Sequence, residues 1–543
     1  MDLKGSAKKT DRLILLGLAL AGAVMTLVIC PFSPLYRYCF EPDEICYLVM
    51  SRGWLAGKIP YRDLFDHKGP LTYVIYALGL LLGNGANWGI FVIFALISAG
   101  NFTLIYKILR VFYDPGRAFS AEAVLISMFF VKRSILYATG SKPEHIALLF
   151  LLLSEYLIAK RVKERAAREK AAPPETPSSQ PLLTQKDMYL LGLLAGVVFM
   201  IKYNLCAYYL FFIGAYFLWL LVRRAPSSAG VPSDHSAPSD HSDGRDHYAR
   251  PEHRNLRAFL TSSASFAAGI ATIAAPIFLY FASQHALRDF LNVYFAFNLH
   301  YAGKGTLKLH FFRTWISRHN QLLLAVLFAM MIAAAIIALI TRKKRAHHLI
   351  LFACGAATYF ALTLPQVFTY SFVVIIPLYL LAFGVLSDFV LTNLPLRILP
   401  VAAGIMTVFV LALLSYTNYK ASPSLTSSPK ALERGMSGFY EAHPDAECLY
   451  FATLCEHFFY DDPDRVPDFK YFYLPRAYTR EMVEAQQSYI ADRIPELVMY
   501  YRGKKTPDSY MADLDAFLTA NGYSLYINDL EESRVYVYTR DEA

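Results

Sequence analysis

The chain has 543 residues, of which 55% are apolar, 15% are aromatic and 17% are charged, whereas soluble proteins carry roughly 25% charged residues. With a mean hydropathy of +0.33, this composition excludes a string of soluble domains and predicts a polytopic α-helical membrane protein. The net charge of +9 does not indicate nucleic-acid binding, because the basic excess lies in short loops beside apolar runs.

Charge is divided unevenly along the chain. Residues 420–543 carry 13 basic and 21 acidic residues, a net charge of −8, which leaves a net charge of +17 on residues 1–419. The division predicts that the two parts lie in different surroundings. We therefore expect a membrane domain over 1–419 and a separate soluble domain over 420–543.

Apolar runs and loop charges together predict the topology. The amino-terminal run at 13–32 has no convincing cleavage site and follows Lys8, Lys9 and Arg12, which predicts a retained span with a cytoplasmic amino end. The apolar piece 71–82 is too short to span and is expected to be an interfacial helix on the outer side, within a loop over about 33–87. We predict eleven spans in all, at 13–32, 88–109, 119–138, 144–159, 187–201, 204–222, 258–282, 320–341, 349–365, 367–387 and 398–419.

Two cytoplasmic loops are rich in Pro and Ser or in charge, and they are predicted to be disordered over about 160–186 and 223–257. The repeated Ser-Asp-His in the second loop is typical of a low-complexity linker rather than a metal site. After residue 420, "ECLYFAT" and "RVYVYTR" predict strands, and "YTREMVEAQQSYIADRI" and "DSYMADLDAFLTANGY" predict helices. This pattern is typical of a small α/β domain, which the span count places outside the cell.

The seven cysteines show no metal-site spacing. Cys39 with Cys46, and Cys448 with Cys455, would form disulfides if they face an oxidising compartment, and unpaired thiols are the alternative.

The first outer loop concentrates charge beside the membrane, in "FEPDEICYLVMSRGWLAGKIPYRDLFDHKGPLTYVIYALG" over residues 40–79. A Pro-Asp-Glu turn places Asp43 and Glu44 at a helix N-terminus, where the helix dipole favours ionised carboxylates. An ionised carboxylate near a hydroxyl is what general-base activation requires. A helix cap with solvated loop charges is the alternative interpretation of these residues.

This loop resembles the first-loop signature of the GT-C glycosyltransferases, in the branch of the dolichyl-phosphate-mannose protein mannosyltransferases (glycosyltransferase family 39 type) with their Rgt-like and aminoarabinose-transferase relatives. The resemblance covers roughly residues 10–420. Its motif consists of Asp43, Glu44, Tyr47, Gly57, Pro60, Tyr61 and the run His67–Leu71.

The resemblance implies a GT-C fold and inverting transfer of one sugar from a polyprenyl-phosphate donor to a cell-envelope acceptor (a glycan, a glycolipid or a protein). It implies that Asp43 is the catalytic base, that Glu44 supports it, and that Lys68 meets the donor phosphate. Snorkelling at the interface is the alternative for Lys68. His67 and Gly69 depart from the Glu-Lys-Pro-Pro of some relatives, which puts metal dependence in doubt, although a divalent metal stays possible.

Further candidate residues lie on other outer loops. Glu144 in "SKPEH" matches an acidic position of the family, and Lys202 in "FMIKYNL" is a second candidate for the donor phosphate. The candidate substrate-binding residues are Tyr47, Tyr61, Asp66, His67, Glu144, His300 and Tyr301. Helix-start charge, snorkelling and interfacial aromatics are the alternatives for the residues outside the first loop.

Two other functions compete with the transferase. A transporter or flippase for lipid-linked material would carry polar or broken spans and internal repeats, which are not clear in this sequence. An inactive scaffold with a partner-binding outer domain is disfavoured by the presence of Asp43, Glu44 and Lys68. We therefore expect a multi-pass enzyme of the cell membrane whose partners are the lipid-linked donor, the acceptor and membrane lipid.

Overall fold

The structure is a computed structural model, and it describes the chain in parts. The described residues are 3–36, 42–130, 140–171, 182–209, 251–303, 443–452 without 445, 465–475, 478–502, 507–529 and 535–541, with single positions at 380, 405, 408 and 439.

Helices make up the described part of the membrane domain. They are α1 (Leu3–Ile29), α2 (Pro42–Leu55), α3 (Pro70–Leu82), α4 (Trp88–Phe112), α5 (Pro115–Phe130), α6 (Pro143–Ala171), α7 (Gln185–Ile201) and α8 (Pro251–Ser283). A 3₁₀ turn, Tyr203–Cys206, follows α7, and after α8 come α9 (Leu287–Phe290), the π-helical turn Leu291–Phe297 and α10 (Asn298–Gly303).

Three helices of the described residues are long and apolar enough to cross a membrane: Lys8–Ile29, Trp88–Val111 and Leu256–Ser283. They correspond to the predicted spans at 13–32, 88–109 and 258–282, and they confirm a helical membrane fold. The predicted spans at 144–159 and 187–201 lie within α6 and α7, and the span at 119–138 begins in α5. The spans at 320–341 and 349–365 lie outside the described residues, as do residues 210–222 of the span at 204–222 and nearly all of those at 367–387 and 398–419.

Glycines allow the helices to pack closely. A Cβ on Gly192 of α7 would lie 2.1 Å from the carbonyl oxygen of Phe266 on α8. In the opposite direction, a Cβ on Gly269 of α8 would lie 2.2 Å from the carbonyl oxygen of Tyr189. Small residues at such crossings let two backbones approach closely, which is the usual packing of helices in membranes.

The predicted disorder at 160–186 is wrong for residues 160–171, because α6 continues through the basic run to Ala171. The run is rich in Ala, Lys, Arg and Glu, which favour helix, and Arg161 pairs with Glu164 at 2.7 Å. Arg161 also contacts Asp187 of α7 at 2.8 Å. The second predicted loop is likewise shorter than expected, since α8 begins at Pro251.

The first loop contains the two helices predicted for it. Helix α2 begins at the Pro-Asp-Glu turn, and α3 begins at Pro70 directly after the His-Lys-Gly run. Between them, Tyr61 adopts a left-handed backbone conformation with φ of 70°. Its ring is fully buried and packs against Phe281 and Phe290, so aromatic packing holds a conformation that a bulky residue rarely adopts.

The carboxyl-terminal part contains a four-stranded sheet and two helices. The strands are β1 (Cys448–Tyr450), β2 (Leu497–Tyr501), β3 (Tyr523–Asp529) and β4 (Val535–Arg540), in the order β1-β2-β4-β3. Strand β1 is parallel to β2, and β4 is antiparallel to both β2 and β3. Helices α11 (Arg480–Ala491) and α12 (Asp508–Ala520) lie where the sequence predicted helices, whereas β2 and β3 were not predicted.

This carboxyl-terminal part contacts the first loop directly. The backbone N–H of Phe65 donates to the carbonyl oxygen of Lys470 at 3.0 Å. Lys58 of the first loop pairs with Asp468, and Lys470 also pairs with Asp289 of α9 at 3.2 Å. The predicted boundary at residue 420 lies outside the described residues, and these contacts show that the two parts are joined around the loop.

Candidate functional site

Asp43 and Glu44 occupy the first turn of α2, where the dipole of the helix stabilises negative charge. Their surroundings differ. The side chain of Asp43 is 35% exposed, whereas that of Glu44 is fully buried. Asp43 is therefore the carboxylate that a second molecule can reach, and Glu44 lies behind it.

Lys142 joins these two carboxylates. Its Nζ donates to Oδ2 of Asp43 at 3.1 Å and to Oε2 of Glu44 at 3.3 Å. The hydroxyl of Ser141 donates to the other oxygen of Glu44 at 3.4 Å. Lys142 was not among the predicted site residues, although it stands in the same "SKPEH" run as Glu144. From sequence, a lysine just before a predicted span is interpreted as an interfacial charge. Only the fold shows that Lys142 contacts Asp43.

The two lysines near Asp43 determine its protonation state. Burial alone would raise the pKa of Asp43, but the ammonium groups of Lys142 and Lys68 outweigh that effect and hold the pKa at about 2. Asp43 is therefore ionised throughout the physiological range. An ionised and partly exposed carboxylate can accept a proton from a bound hydroxyl.

Asp66 is buried and serves as an anchor for the loop. Its Oδ2 accepts a hydrogen bond from Tyr73 at 3.0 Å, and its Oδ1 accepts one from Tyr473 at 2.9 Å. The backbone N–H of His67 donates to the same Oδ1 at 2.7 Å. Burial alone would raise the pKa of Asp66, but Lys68 and His67 lower it below the ordinary value, so this carboxylate also stays ionised.

Lys68 is held by the residues around it. Its Nζ lies 3.0 Å from Nε2 of His67 and 5.7 Å from the ring centroid of Tyr47. Its backbone carbonyl accepts hydrogen bonds from the hydroxyls of Tyr61 at 2.7 Å and Tyr73 at 3.2 Å. His67 and Tyr47 therefore lie beside the ammonium of Lys68, while Tyr61 and Tyr73 fix its backbone.

His67 is neutral in this arrangement. Burial and the charge of Lys68 lower the pKa of His67, although Asp66 acts in the opposite direction. A neutral ring that carries its proton on Nδ1 can accept a hydrogen bond from the Lys68 ammonium at Nε2. His67 thus orients Lys68 through this contact.

Gly69 ties the loop to the end of α7. Its N–H donates to the carbonyl oxygen of Ile201 at 3.0 Å. A Cβ on Gly69 would lie 2.1 Å from the carbonyl oxygen of Met200, and a proline would also lack the N–H. These contacts explain why glycine, and not the proline of some relatives, occupies this position.

The same tie places Lys202 near the site. Lys202 follows Ile201 and pairs with Glu144, which is buried at the start of α6. The structure therefore brings together two residues that were predicted separately. The carboxylate of Glu144 fixes the ammonium of Lys202 at the rim of the first loop.

The segment 291–303 reaches the first loop through a residue that was not predicted. The side-chain amide of Asn298 donates to the carbonyl oxygen of His67 at 2.7 Å, and the ring of Phe297 lies 5.7 Å from the His67 ring. His300 lies two residues further on and is exposed. Tyr301 belongs to α10, and its side chain lies outside the described residues, as do the cysteines Cys39 and Cys455 of the two predicted disulfides.

Metal ligands are not grouped in the part of the chain that the structure describes. No set of three or more His, Cys, Asp or Glu side chains there has an arrangement that could hold a metal ion. What the sequence indicates about metal dependence, from His67 and Gly69, therefore stays a prediction.

Comparisons with known proteins identify the fold. The structure of ArnT from Cupriavidus metallidurans bound to undecaprenyl phosphate matches with a TM-score of 0.56 and 12% sequence identity, over 97% of both chains. The apo structure of the same protein gives 0.56 and 13% identity, again over 97% of both chains. The chain has the GT-C fold. The resemblance found in the first loop is thereby confirmed at the level of the fold.

Two further matches were found. The archaeal oligosaccharyltransferase AglB from Archaeoglobus fulgidus, in complex with an inhibitory peptide and a dolichol-phosphate, matches with a TM-score of 0.43 and 13% identity, over 96% of this chain and 74% of that one. Residues 6–171 match a family model described as "Putative competence-induced protein Ccs4 N-terminal domain". Comparison with curated proteins gives no match.

Proposed function

We propose that this GT-C protein transfers a sugar from a polyprenyl-phosphate donor to a cell-envelope acceptor on the outer face of the membrane. The observation that carries the proposal is the geometry of the first loop. It presents an ionised, partly exposed carboxylate, Asp43, close to a fixed ammonium, Lys68. A base for the acceptor and a cation for the leaving phosphate are the two groups that this reaction needs.

The proposed reaction has one bond-forming and one bond-breaking event at the anomeric carbon. The oxygen of an acceptor hydroxyl attacks this carbon, and the bond to the phosphate oxygen of the donor breaks with inversion. Asp43 takes the hydroxyl proton as the new C–O bond forms, when that proton becomes acidic. The polyprenyl phosphate leaves with an additional negative charge, which Lys68 stabilises.

Binding of the donor would change the pKa of Asp43. A phosphate bound at Lys68 would neutralise one of the two positive charges that act on Asp43. The pKa of the carboxylate would then rise, and Asp43 would become a stronger base when the donor is in place.

The other residues support these two. We assign Glu44 to the support of Asp43, and Lys202, held by Glu144, to a second contact with the donor phosphate. Tyr47, Tyr61, Asp66 and His67 are positioning residues, because they are largely buried and bond to or pack against Lys68 or its neighbours. His300 and Tyr301 are assigned to the substrate side of the adjoining outer segment.

A transporter fits the arrangement less well. Transporter sites lie near mid-membrane on broken helices, whereas these charges gather on a loop between α1 and α4. An inactive scaffold has no need for a lysine that four side chains hold in place.

A donor-cleavage assay tests the proposal. Purified protein is given a synthetic short-chain polyprenyl-phosphate sugar and an envelope extract as acceptor, and the release of polyprenyl phosphate is measured. Release should fall by roughly two to four orders of magnitude in Asp43→Asn. The matched control is Asp63→Asn, since Asp63 lies on the same loop and pairs with Arg62. No release of polyprenyl phosphate by the wild-type protein, or full release by Asp43→Asn, would refute the proposal.

A further inference from the structure

Lys142 is a buried cation with two acidic partners. Its side chain is 6% exposed, and its Nζ lies within 3.3 Å of oxygens from Asp43 and Glu44. A lysine removed from water is strongly destabilising unless opposite charge compensates it. The position of Lys142 just before α6 is therefore maintained by the carboxylates of α2.

The contact with Asp43 is one-sided. The ammonium of Lys142 donates to Oδ2 of Asp43, and about a third of the Asp43 side chain stays exposed (35%). The carboxylate thus has one oxygen fixed from within the protein and one side open to a bound molecule. Glu44, which has no exposed surface, completes the pairing of Lys142 and accepts from Ser141.

Other charged groups also act on Asp43. Lys68 lowers its pKa, and Asp66 raises it. In the proposed reaction the donor phosphate engages Lys68. Lys142 is then the cation that remains beside Asp43, because it is buried and also pairs with Glu44.

We infer that Lys142 is a positioning residue that keeps Asp43 ionised and oriented, with one carboxylate oxygen open to the acceptor. This inference rests on the proposed function for its biological meaning. The physical interaction between Lys142 and Asp43 can be tested without any turnover.

The test measures the protonation of Asp43 directly. A hydrophobic carbodiimide modifies a carboxyl group only in its protonated form, and mass spectrometry then locates the modified residue. Full-length protein in detergent is labelled over a series of pH values, and the pH of half-maximal labelling at Asp43 is compared among variants. The variants are Lys142→Met, which keeps the length of the side chain without its charge, and Lys142→Arg, which keeps the charge.

The control is Lys58→Met, because Lys58 lies on the same loop and pairs with Asp468 instead of Asp43. Labelling of Asp43 in Lys142→Met should begin at a pH about 1–3 units higher than in the wild type, since an adjacent cation lowers a carboxyl pKa by about that amount. Lys142→Arg and Lys58→Met should label like the wild type. Unchanged labelling in Lys142→Met would overturn the inference.

Lys142→Met leaves Glu44 buried without its cation, and the variant protein could therefore fail to accumulate. A second pair of variants covers that case. Removing both members of a buried ion pair is less disruptive than removing one. The double variant Lys142→Met/Glu44→Gln is then compared with Glu44→Gln alone, and the two differ only at Lys142. Equal labelling of Asp43 in this pair would refute the inference. Shifted labelling with no donor cleavage in the wild type would uphold the role of Lys142 and reject the proposed function.

Discussion

The hydroxyl of Tyr473 donates a hydrogen bond of 2.9 Å to Oδ1 of Asp66, across 407 positions of sequence. Tyr473 is buried, and it belongs to the stretch after β1 that also meets the first loop through the carbonyl oxygen of Lys470. The carboxyl-terminal part thereby supplies one of the hydrogen-bond donors to Asp66, the buried carboxylate that fixes the loop around Lys68. This part of the chain therefore contributes a residue to the candidate site.

We expect Tyr473→Phe to weaken the loop, because a hydrogen bond to a charged acceptor contributes about 1.5–3 kcal/mol. The free energy of unfolding should fall by about this amount, and donor cleavage should fall by roughly tenfold as Lys68 loses its fixed position. The control is Tyr523→Phe, which removes a buried 2.8 Å hydrogen bond to the carbonyl oxygen of Pro495 within the carboxyl-terminal part. Loss of cleavage in both variants to the same extent would show that Tyr473 acts through general stability alone.

Much of the first loop could be predicted because its signals are local. The Pro-Asp-Glu turn marks the start of α2, and Pro70 marks the start of α3, so both helices follow from residues adjacent in sequence. Strands β1 and β4 were likewise marked by alternating or apolar runs. Helix α6 was placed correctly but was expected to end too early, because charge was interpreted as a loop where i,i+3 and i,i+4 pairs extend the helix.

The contacts that complete the site could not be predicted, because they join distant segments. Nothing near Lys142 in sequence indicates that it faces Asp43, 99 positions earlier. Asn298 reaches His67 across 231 positions, and Tyr473 reaches Asp66 across 407. Long-range pairing depends on how the helices pack, which periodicity and residue type do not encode locally.

Gly69→Ala should destabilise the protein by about 1–3 kcal/mol, because the new Cβ would lie 2.1 Å from the carbonyl oxygen of Met200 and a backbone would have to move. Thermal unfolding in detergent measures the change, and donor cleavage should fall with it because Lys68 is the preceding residue. Gly17→Ala is the control, since a Cβ there meets no atom within 4 Å. A Gly69→Ala protein as stable as Gly17→Ala would contradict the tie between the loop and α7.

His67 should make stability depend on pH. Its pKa in the folded protein is below the ordinary value of 6.5, so the unfolded chain binds a proton at a pH where the folded chain does not. This contribution to stability is therefore complete above about pH 6.5 and is lost as the pH falls towards the lowered pKa. His67→Gln keeps an acceptor for Lys68 and does not titrate.

Thermal unfolding midpoints at about pH 7.5 and pH 5.5 test this expectation. The wild type should lose more stability between the two values than His67→Gln does. His300→Gln serves as the control, because His300 is exposed, and it should follow the wild type. An equal loss in all three proteins would show that His67 does not titrate as expected.

The predicted topology has its amino end in the cytoplasm and its carboxyl-terminal part outside. A cysteine introduced at Ser509, which is exposed on α12, should react with an impermeant thiol reagent in intact cells. A cysteine at Ser179 should react only after the membrane is made permeable. The protein without an introduced cysteine is labelled in parallel, to measure the reaction of its native cysteines. The reverse labelling would place the first loop on the cytoplasmic side and contradict the proposed outer-face reaction.

Lys68 separates the proposed transferase from a transporter. Lys68→Ala should weaken donor binding and slow the departure of polyprenyl phosphate, because the leaving group gains charge in the transition state. Lys68→Arg should keep part of the activity, since the charge remains but the guanidinium group is larger and planar. The control is Lys58→Ala, which removes a lysine of the same loop that pairs with Asp468.

The decisive measurement combines Lys68 with Asp43. If both groups act in one transition state, the double variant Lys68→Ala/Asp43→Asn should cleave the donor no more slowly than the poorer single variant. A transporter should release no polyprenyl phosphate at any donor concentration, in the wild type or in any variant. Strong release that is unaffected by Lys68→Ala would remove Lys68 from the phosphate site, and Lys202, which Glu144 holds at the same rim, would become the residue to replace next.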